Sequence, residues 1–191
     1  MTDTDFQDWM DDIVAERPLL KHPFYQAWED GELSREDLRN YAKEYYAHVR
    51  AFPTYLSLTH ANSDDPEVRR TILENLIEEE AGTDEVPDHL SLWLDFAEAL
   101  GADRELVRQH EGCDGVLKAI AQFREVCKCS LLEGLTALYA YESQIPEVSA
   151  TKLSGLAEYY GIDGEAATRY FRVHKEADLR HRDEEAELIE S

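Results

Sequence analysis

The chain has 191 residues, the size of one ordinary domain spanning 1–191; at 22.0 kDa it buries about 70% of the surface its extended form exposes. Hydrophobic residues make up 43%, too many for a disordered chain, and 19 basic against 42 acidic residues leave a net charge of −23. That field repels phosphate backbones and anionic membranes and attracts cations, so nucleic acid and membrane are excluded as main partners and metal ions are favoured.

No run reaches the roughly 18 apolar residues a membrane helix needs, and the start Met1-Thr2-Asp3-Thr4-Asp5 lacks the basic and apolar stretches of a signal peptide. Three cysteines, Cys113, Cys127 and Cys129, are odd in number and sparse, which points to a reducing cytoplasm. Cys127 and Cys129 have no second pair to complete a zinc site. Only six of the 19 basic residues are lysine; such an acid-rich surface favours solubility and says nothing about chemistry.

Glycine and proline fall between periodic segments, and helices are predicted over 3–16, 20–29, 34–61, 66–81, 89–100, 103–110, 114–143, 146–160 and 163–189. Ser34 followed by Asp37 opens the third with a capping-box-like pattern, and Asp65-Pro66 puts proline at the first position of the fourth. Gly101 and Gly161 close two others. No alternating strand pattern occurs, so the class is all-α.

The informative residues are polar ones at core positions. In the helix over 66–81, Val68, Ile72, Leu73, Leu76 and Ile77 are read as the buried face. Glu78 then points away, while Glu79 and Glu80 both lie within about 70° of its centre; periodicity leaves open which of the two looks inward. His89 starts the next helix. Glu142 closes an apolar segment and shares a face with Leu135, Leu138 and Tyr139, where a lone carboxylate needs a cation, a proton or a helix-end hydrogen bond. In the last helix Ala167, Tyr170, His174, Asp178 and His181 form one stripe, the last three within about 60° of each other. Turning that stripe outward would bury the side carrying Lys175, Glu176, Arg180 and Arg182. Mixed imidazole and carboxylate groups inside a bundle are what iron or manganese pairs use, whereas zinc more often brings thiolates or fewer ligands.

With these residues assembled, seven ordered strings resemble one family. They are His22-Pro23-Phe24-Tyr25, Tyr41-Ala42-Lys43-Glu44-Tyr45-Tyr46-Ala47-His48, Ala51-Phe52-Pro53-Thr54-Tyr55-Leu56, Asn75-Leu76-Ile77-Glu78-Glu79-Glu80-Ala81-Gly82, His89-Leu90-Ser91-Leu92-Trp93, Leu138-Tyr139-Ala140-Tyr141-Glu142-Ser143-Gln144-Ile145-Pro146 and His174-Lys175-Glu176-Ala177-Asp178-Leu179-Arg180-His181. They resemble the CADD family, named for the chlamydial protein that associates with death domains and related to pyrroloquinoline-quinone synthase. The resemblance implies a heme-oxygenase-like bundle of about seven main helices holding two metal ions, Fe/Fe or Fe/Mn. It implies oxygen-dependent formation of 4-aminobenzoate for folate biosynthesis, with an external reductant. By motif, the metal ligands are Glu79, His89, Glu142, His174, Asp178 and His181. Tyr25 is the sacrificed source of the ring, Lys152 the amino donor and Tyr41 a helper.

Two departures from the family pattern carry expectations. The glutamate and histidine are ten residues apart rather than about seven, so Asp84, Glu85 or Asp88 in the longer loop compete with Glu79 and His89 as ligands. The chain ends at Ser191, where relatives carry a further helical segment; either a dimer partner supplies that piece or the bundle is more open there. A homodimer is the default expectation.

Tyr41, Tyr45, His48, Phe52 and Tyr55 make one aromatic stripe, read as core packing or as phenols from which an oxidised metal pair draws an electron. Tyr25 is read in a short irregular segment after Pro23, and Lys152 at a helix end; His22, His60 and His110 are assigned surface or capping roles. Rival readings are a multi-turnover metalloenzyme acting on a free small aromatic or amine substrate, in which Tyr25 survives, and a non-enzymatic interaction protein with an exposed apolar patch. A thiaminase-like enzyme would need a pocket cysteine and no metal set.

Overall fold

Side-chain caps set most of the helix starts. In the computed structural model, which describes residues 3–82 and 86–190 (the side chains of 3–6 excepted), ten helices form: α1 Asp3–Glu16, α2 Pro23–Glu29, α3 Arg35–Ala61, α4 Pro66–Glu80, α5 His89–Ala99, α6 Arg104–Gln109, α7 Asp114–Cys129, α8 Leu131–Glu142, α9 Ile145–Glu158 and α10 Glu165–Glu190. Ser34 and Asp37 close a reciprocal capping box on α3, and Asp65 accepts from the amides of Glu67 and Val68 at the start of α4. No strand occurs among the described residues, as the all-α reading expects.

Two predicted helices divide. The segment 114–143 breaks at Ser130, which is extended (φ −158°, ψ 169°) and accepts from the Glu133 amide at 3.2 Å while donating to Glu133 Oε2 at 2.6 Å. Ser130-x-x-Glu133 is a helix-start signal that the continuous apolar pattern masks. Eight helices of eleven or more residues result, one more than seven because of this break. The segment 20–29 begins as a 3₁₀ turn at Leu19–Lys21 and restarts at Pro23, with His22 Nδ1 capping the Phe24 amide at 3.2 Å. Tyr25 is therefore in the first turn of α2 and not in an irregular segment.

The 27-residue α3 runs through the middle, packed by α4, α5, α7 and α8, while α10 lies against α5, α8 and α9. Trp93 Nε1 donates to the Ala42 carbonyl at 2.7 Å and ties α5 to α3. Trp28, fully buried, donates to the Lys152 carbonyl at 3.3 Å and ties α2 to α9. That approach requires Gly155, where a Cβ would stand 2.7 Å from Trp28 Cδ1. It brings Lys152 to the middle of α9 and into the core, 3% exposed, rather than to a helix end.

The buried stripe of α4 is Val68, Ile72, Asn75 and Glu79. At 100° per residue these four span about 60°. The face is turned by about 70° from the one read in the sequence, and Leu73 and Ile77 lie outside, 43% and 47% exposed. Apolar count misplaces the face because half of the inward positions are polar. Among the described residues no helix is long and apolar enough to cross a membrane.

Candidate metal centre

The inward polar residues of four helices converge. Glu79 at the end of α4, His89 at the start of α5 and His174 on α10 offer ligand atoms within 4.8 Å of one another; so do Glu142 at the end of α8 with Asp178 and His181 on α10. All six side chains are buried. Glu79 is inside and Glu80 exposed, a choice the periodicity left open. Asp88 is a cap for α5, accepting from the Ser91 amide at 2.8 Å and the Ser91 hydroxyl at 2.7 Å, and takes no part in either triad. Asp84 and Glu85 lie outside the described residues. Cys127 is buried, and Cys129 Sγ donates to the Glu125 carbonyl at 3.0 Å; neither joins a ligand cluster.

The polar bookkeeping of these triads fits cations. His89 Nδ1, Glu142 Oε2, Asp178 Oδ2 and His181 Nδ1 are buried without a hydrogen-bond partner. Each such atom costs about 1–3 kcal/mol if nothing meets it. His89 Nδ1 is 2.8 Å from Glu79 Oε1 but not aligned for a hydrogen bond, as expected of two groups facing a common ion. His174 donates Nδ1–H to the Tyr170 carbonyl (2.8 Å), which leaves Nε2 as its free lone pair. Burial and the neighbouring His89 hold His174 well below the usual histidine range, so it stays neutral as a ligand must.

Charge crowding says the same. Burial, with the Glu142 charge beside it, pushes the Asp178 carboxyl up despite His181. His181 goes the other way: burial alone would lower it, but Asp178, Glu142 and Glu78 hold it far above its ordinary value. A metal ion relieves both strains, taking the place of the proton on His181 and screening the carboxylates.

Two contacts brace Glu142. Asn75 Nδ2 donates to its Oε1 at 3.3 Å. Glu185, one turn beyond His181, is buried against it, and burial and the Glu142 charge push its carboxyl well up. Neither residue was singled out in the sequence. The signals were present: Asn75 is four residues before Glu79 on the α4 stripe, and Glu185 continues the 174–178–181 stripe of α10.

Four of the candidate ligands, Glu79, Glu142, His174 and Asp178, share a small cavity with His48, Phe52, Tyr141 and Tyr170. It has room for about one water molecule. Burial lowers His48 to about 4, so its ring is neutral, and its Nε2 is unpartnered. From the cavity a phenol chain leads away: the Tyr141 hydroxyl touches that of Tyr45, and the Tyr45 ring is 5.3 Å from Tyr41. The Tyr41 hydroxyl contacts Lys152 Nζ, which lies 5.3 Å from the Tyr25 ring. The sequence stripe 41–45–48–52–55 is thus continuous in space, and Tyr141 extends it to the two triads. Burial lowers Lys152 to about 7 and raises Tyr25 to about 12.

Helices that turn two buried His/carboxylate triads toward each other define a class of metal-dependent oxidoreductases. The chain belongs to the iron-containing redox enzymes of heme-oxygenase-like fold, whose family model matches residues 39–191. It is 44% identical to the 4-aminobenzoate synthase of Chlamydia pneumoniae, over 98% of this chain and 83% of the relative. It is 40% identical to the 4-aminobenzoate synthase of Nitrosomonas europaea, over 100% of this chain and 80% of the relative. The pyrroloquinoline-quinone synthase of Ruegeria pomeroyi is more distant, 28% identical over 84% of this chain and 66% of its own.

The choice between the adjacent glutamates is testable. Glu79→Gln is expected to lose one metal ion per chain while Glu80→Gln keeps both, read by plasma mass spectrometry of the loaded protein. The reverse pattern would shift the ligand by one residue and unseat the motif alignment.

Proposed function

We propose that this protein is an oxygen-dependent 4-aminobenzoate synthase that takes the ring from its own Tyr25 and the nitrogen from Lys152. Two ions, Fe/Fe or Fe/Mn, are held by Glu79, His89 and His174 and by Glu142, Asp178 and His181. Bound iron supplies one-electron chemistry with oxygen, drawing on an external reductant. The relatives named 4-aminobenzoate synthase support the product class.

The observation that carries the residue roles is Lys152 inside a cage of aromatic rings. A lysine there without a carboxylate partner is costly as an ammonium, and its lowered pKa, about 7, leaves much of it as a free amine near neutrality. A free amine carries the lone pair that a nitrogen donor needs. Tyr41 stays protonated, because burial raises its phenol well above 10. Its loss of an electron is therefore coupled to loss of its proton, and Lys152 Nζ is in contact to accept it. Tyr45 and Tyr141 continue the phenol path to the cavity beside the ligands.

The test is protein loaded without oxygen, then given oxygen and reductant. At most one 4-aminobenzoate per chain is expected, with the Tyr25 side chain and the side-chain nitrogen of Lys152 lost from the protein. Tyr25→Phe is expected to make none while keeping its metal content. Several turnovers by Tyr25→Phe would replace this reading with the free-substrate enzyme. A single turnover by that variant would move the ring source to another tyrosine, with Tyr41 the first to test.

A further inference from the structure

Glu78 was expected to point into solvent, but it turns back against α10. Its carboxylate takes two contacts from Arg180 Nη2, at 2.8 and 2.7 Å, and sits 3.3 Å from His181 Nε2. Arg180 Nη2 is also 3.2 Å from His181 Nε2. Arginine only donates, so the two contacts of Nε2 belong to different tautomers: without a hydrogen Nε2 accepts from Arg180, and with one it donates to Glu78, which is the tautomer that frees Nδ1 for an ion. On the other side of the ring, Nδ1 faces Asp178 Oδ1 at 3.5 Å and Glu142 Oε1 at 3.7 Å, without a hydrogen bond to either.

We propose that Glu78 is the positioning residue of the second triad: it accepts the Nε2–H of His181 and so directs the Nδ1 lone pair to the ion between Glu142 and Asp178. The inference rests on the two-ion reading above and adds to it a residue outside the ligand set. An imidazole that ligates through one nitrogen carries its hydrogen on the other, and an acceptor there fixes the ring's orientation and raises its basicity. His174 receives this support from the Tyr170 carbonyl, part of its own helix. His181 receives it from another helix, and from the residue next to a ligand of the first triad. Glu79 turns inward to the first ion and Glu78, about 100° around the helix, braces the ligand of the second. Arg180 fixes Glu78 in turn, and their pairing leaves the carboxylate partly buried, with 23% of its side chain exposed.

The test uses metal binding alone, by anaerobic titration of metal-free full-length protein with ferrous iron or manganous ion. His174→Ala disables the first triad and leaves the second to be read by itself; Asp178→Ala does the converse. In the His174→Ala background, Glu78→Leu is expected to weaken the remaining ion by about 10- to 100-fold. Glu78→Gln, whose amide oxygen still accepts, is expected to recover most of that loss. In the Asp178→Ala background, Glu78→Leu is expected to leave the remaining ion unchanged, which also verifies that the variant folds. Undiminished binding by Glu78→Leu in the first background would overturn the proposal, as would equal weakening in both backgrounds. Wild-type protein that binds fewer than two ions would instead overturn the two-ion reading, and this proposal with it.

Discussion

The wild type is expected to hold two metal ions per chain, and His174→Ala and Asp178→Ala one each, because the two residues belong to different triads. Both lie on the inward stripe of α10, and neither caps or breaks the helix. The loss has a thermal signature. An ion that binds only the folded chain stabilises it by RT ln(1 + [L]/Kd), about 2.7 kcal/mol at a hundredfold excess over Kd. For a chain of this length that corresponds to about 5–10 °C in Tm for each site. Removing both ions from the wild type with a chelator is expected to lower Tm by more than removing the one left in either variant. Wild-type metal content in both variants, measured by plasma mass spectrometry, would dissolve the two-triad reading.

Lys152→Met is expected to abolish product and to make the protein more stable at neutral pH, by about 2–5 kcal/mol. The folded chain lowers the amine from 10.5 to about 7 through burial, and each pH unit of that gap is worth 1.36 kcal/mol. Between about 7 and 10.5 the unfolded chain holds a proton that the folded one has released. Wild-type stability therefore rises with pH through that window, while the variant lacks this term. The gap between them is full below about pH 7 and gone above 10.5. Methionine fills similar space without a charge, so the loss of the Tyr41 contact subtracts only about 1 kcal/mol. Denaturant unfolding at pH 6.5 and 9.5 reads the difference. A gap that does not change with pH would mean the ammonium is compensated in the fold, and would remove the argument for a free amine.

The apolar periods of α3, α8 and α10 were readable in the chain itself, and so were the stripe 167–170–174–178–181 and the position of Glu142. These follow from residues a few places apart on one helix, where 100° per residue leaves little freedom. Glu142, His174, Asp178, His181 and His89 stood out by position alone, and the motif resemblance chose Glu79 over Glu80 and joined the six into one set; the fold brings them together as two groups of three, a division no helix period contains. The face of α4 escaped because its interior is partly polar: Asn75 and Glu79 point in while Leu73 and Ile77 point out. A rule that seeks apolar residues inside inverts where the interior holds a cation site. The break at Ser130 escaped for a related reason, since the apolar pattern runs straight through it and only a side-chain bond to Glu133 decides the boundary.

Most helix positions and the inventory of reactive side chains were thus determined by the sequence alone, through local geometry, the breaks at Ser130 and His22 apart. Which groups meet was decided only in three dimensions. Lys152 looks like any surface lysine until Gly155 lets α9 close on Trp28 and carries the amine among Tyr25, Tyr41 and Tyr45. Glu78 looks like one more solvated acid until α10 brings Arg180 and His181 to it. Several of the contacts that decide this centre join residues far apart along the chain: Asn75 and Glu142 are 67 residues apart, Glu78 and Arg180 are 102, and Tyr41 and Lys152 are 111. Helical periodicity relates only residues within a few turns of one another.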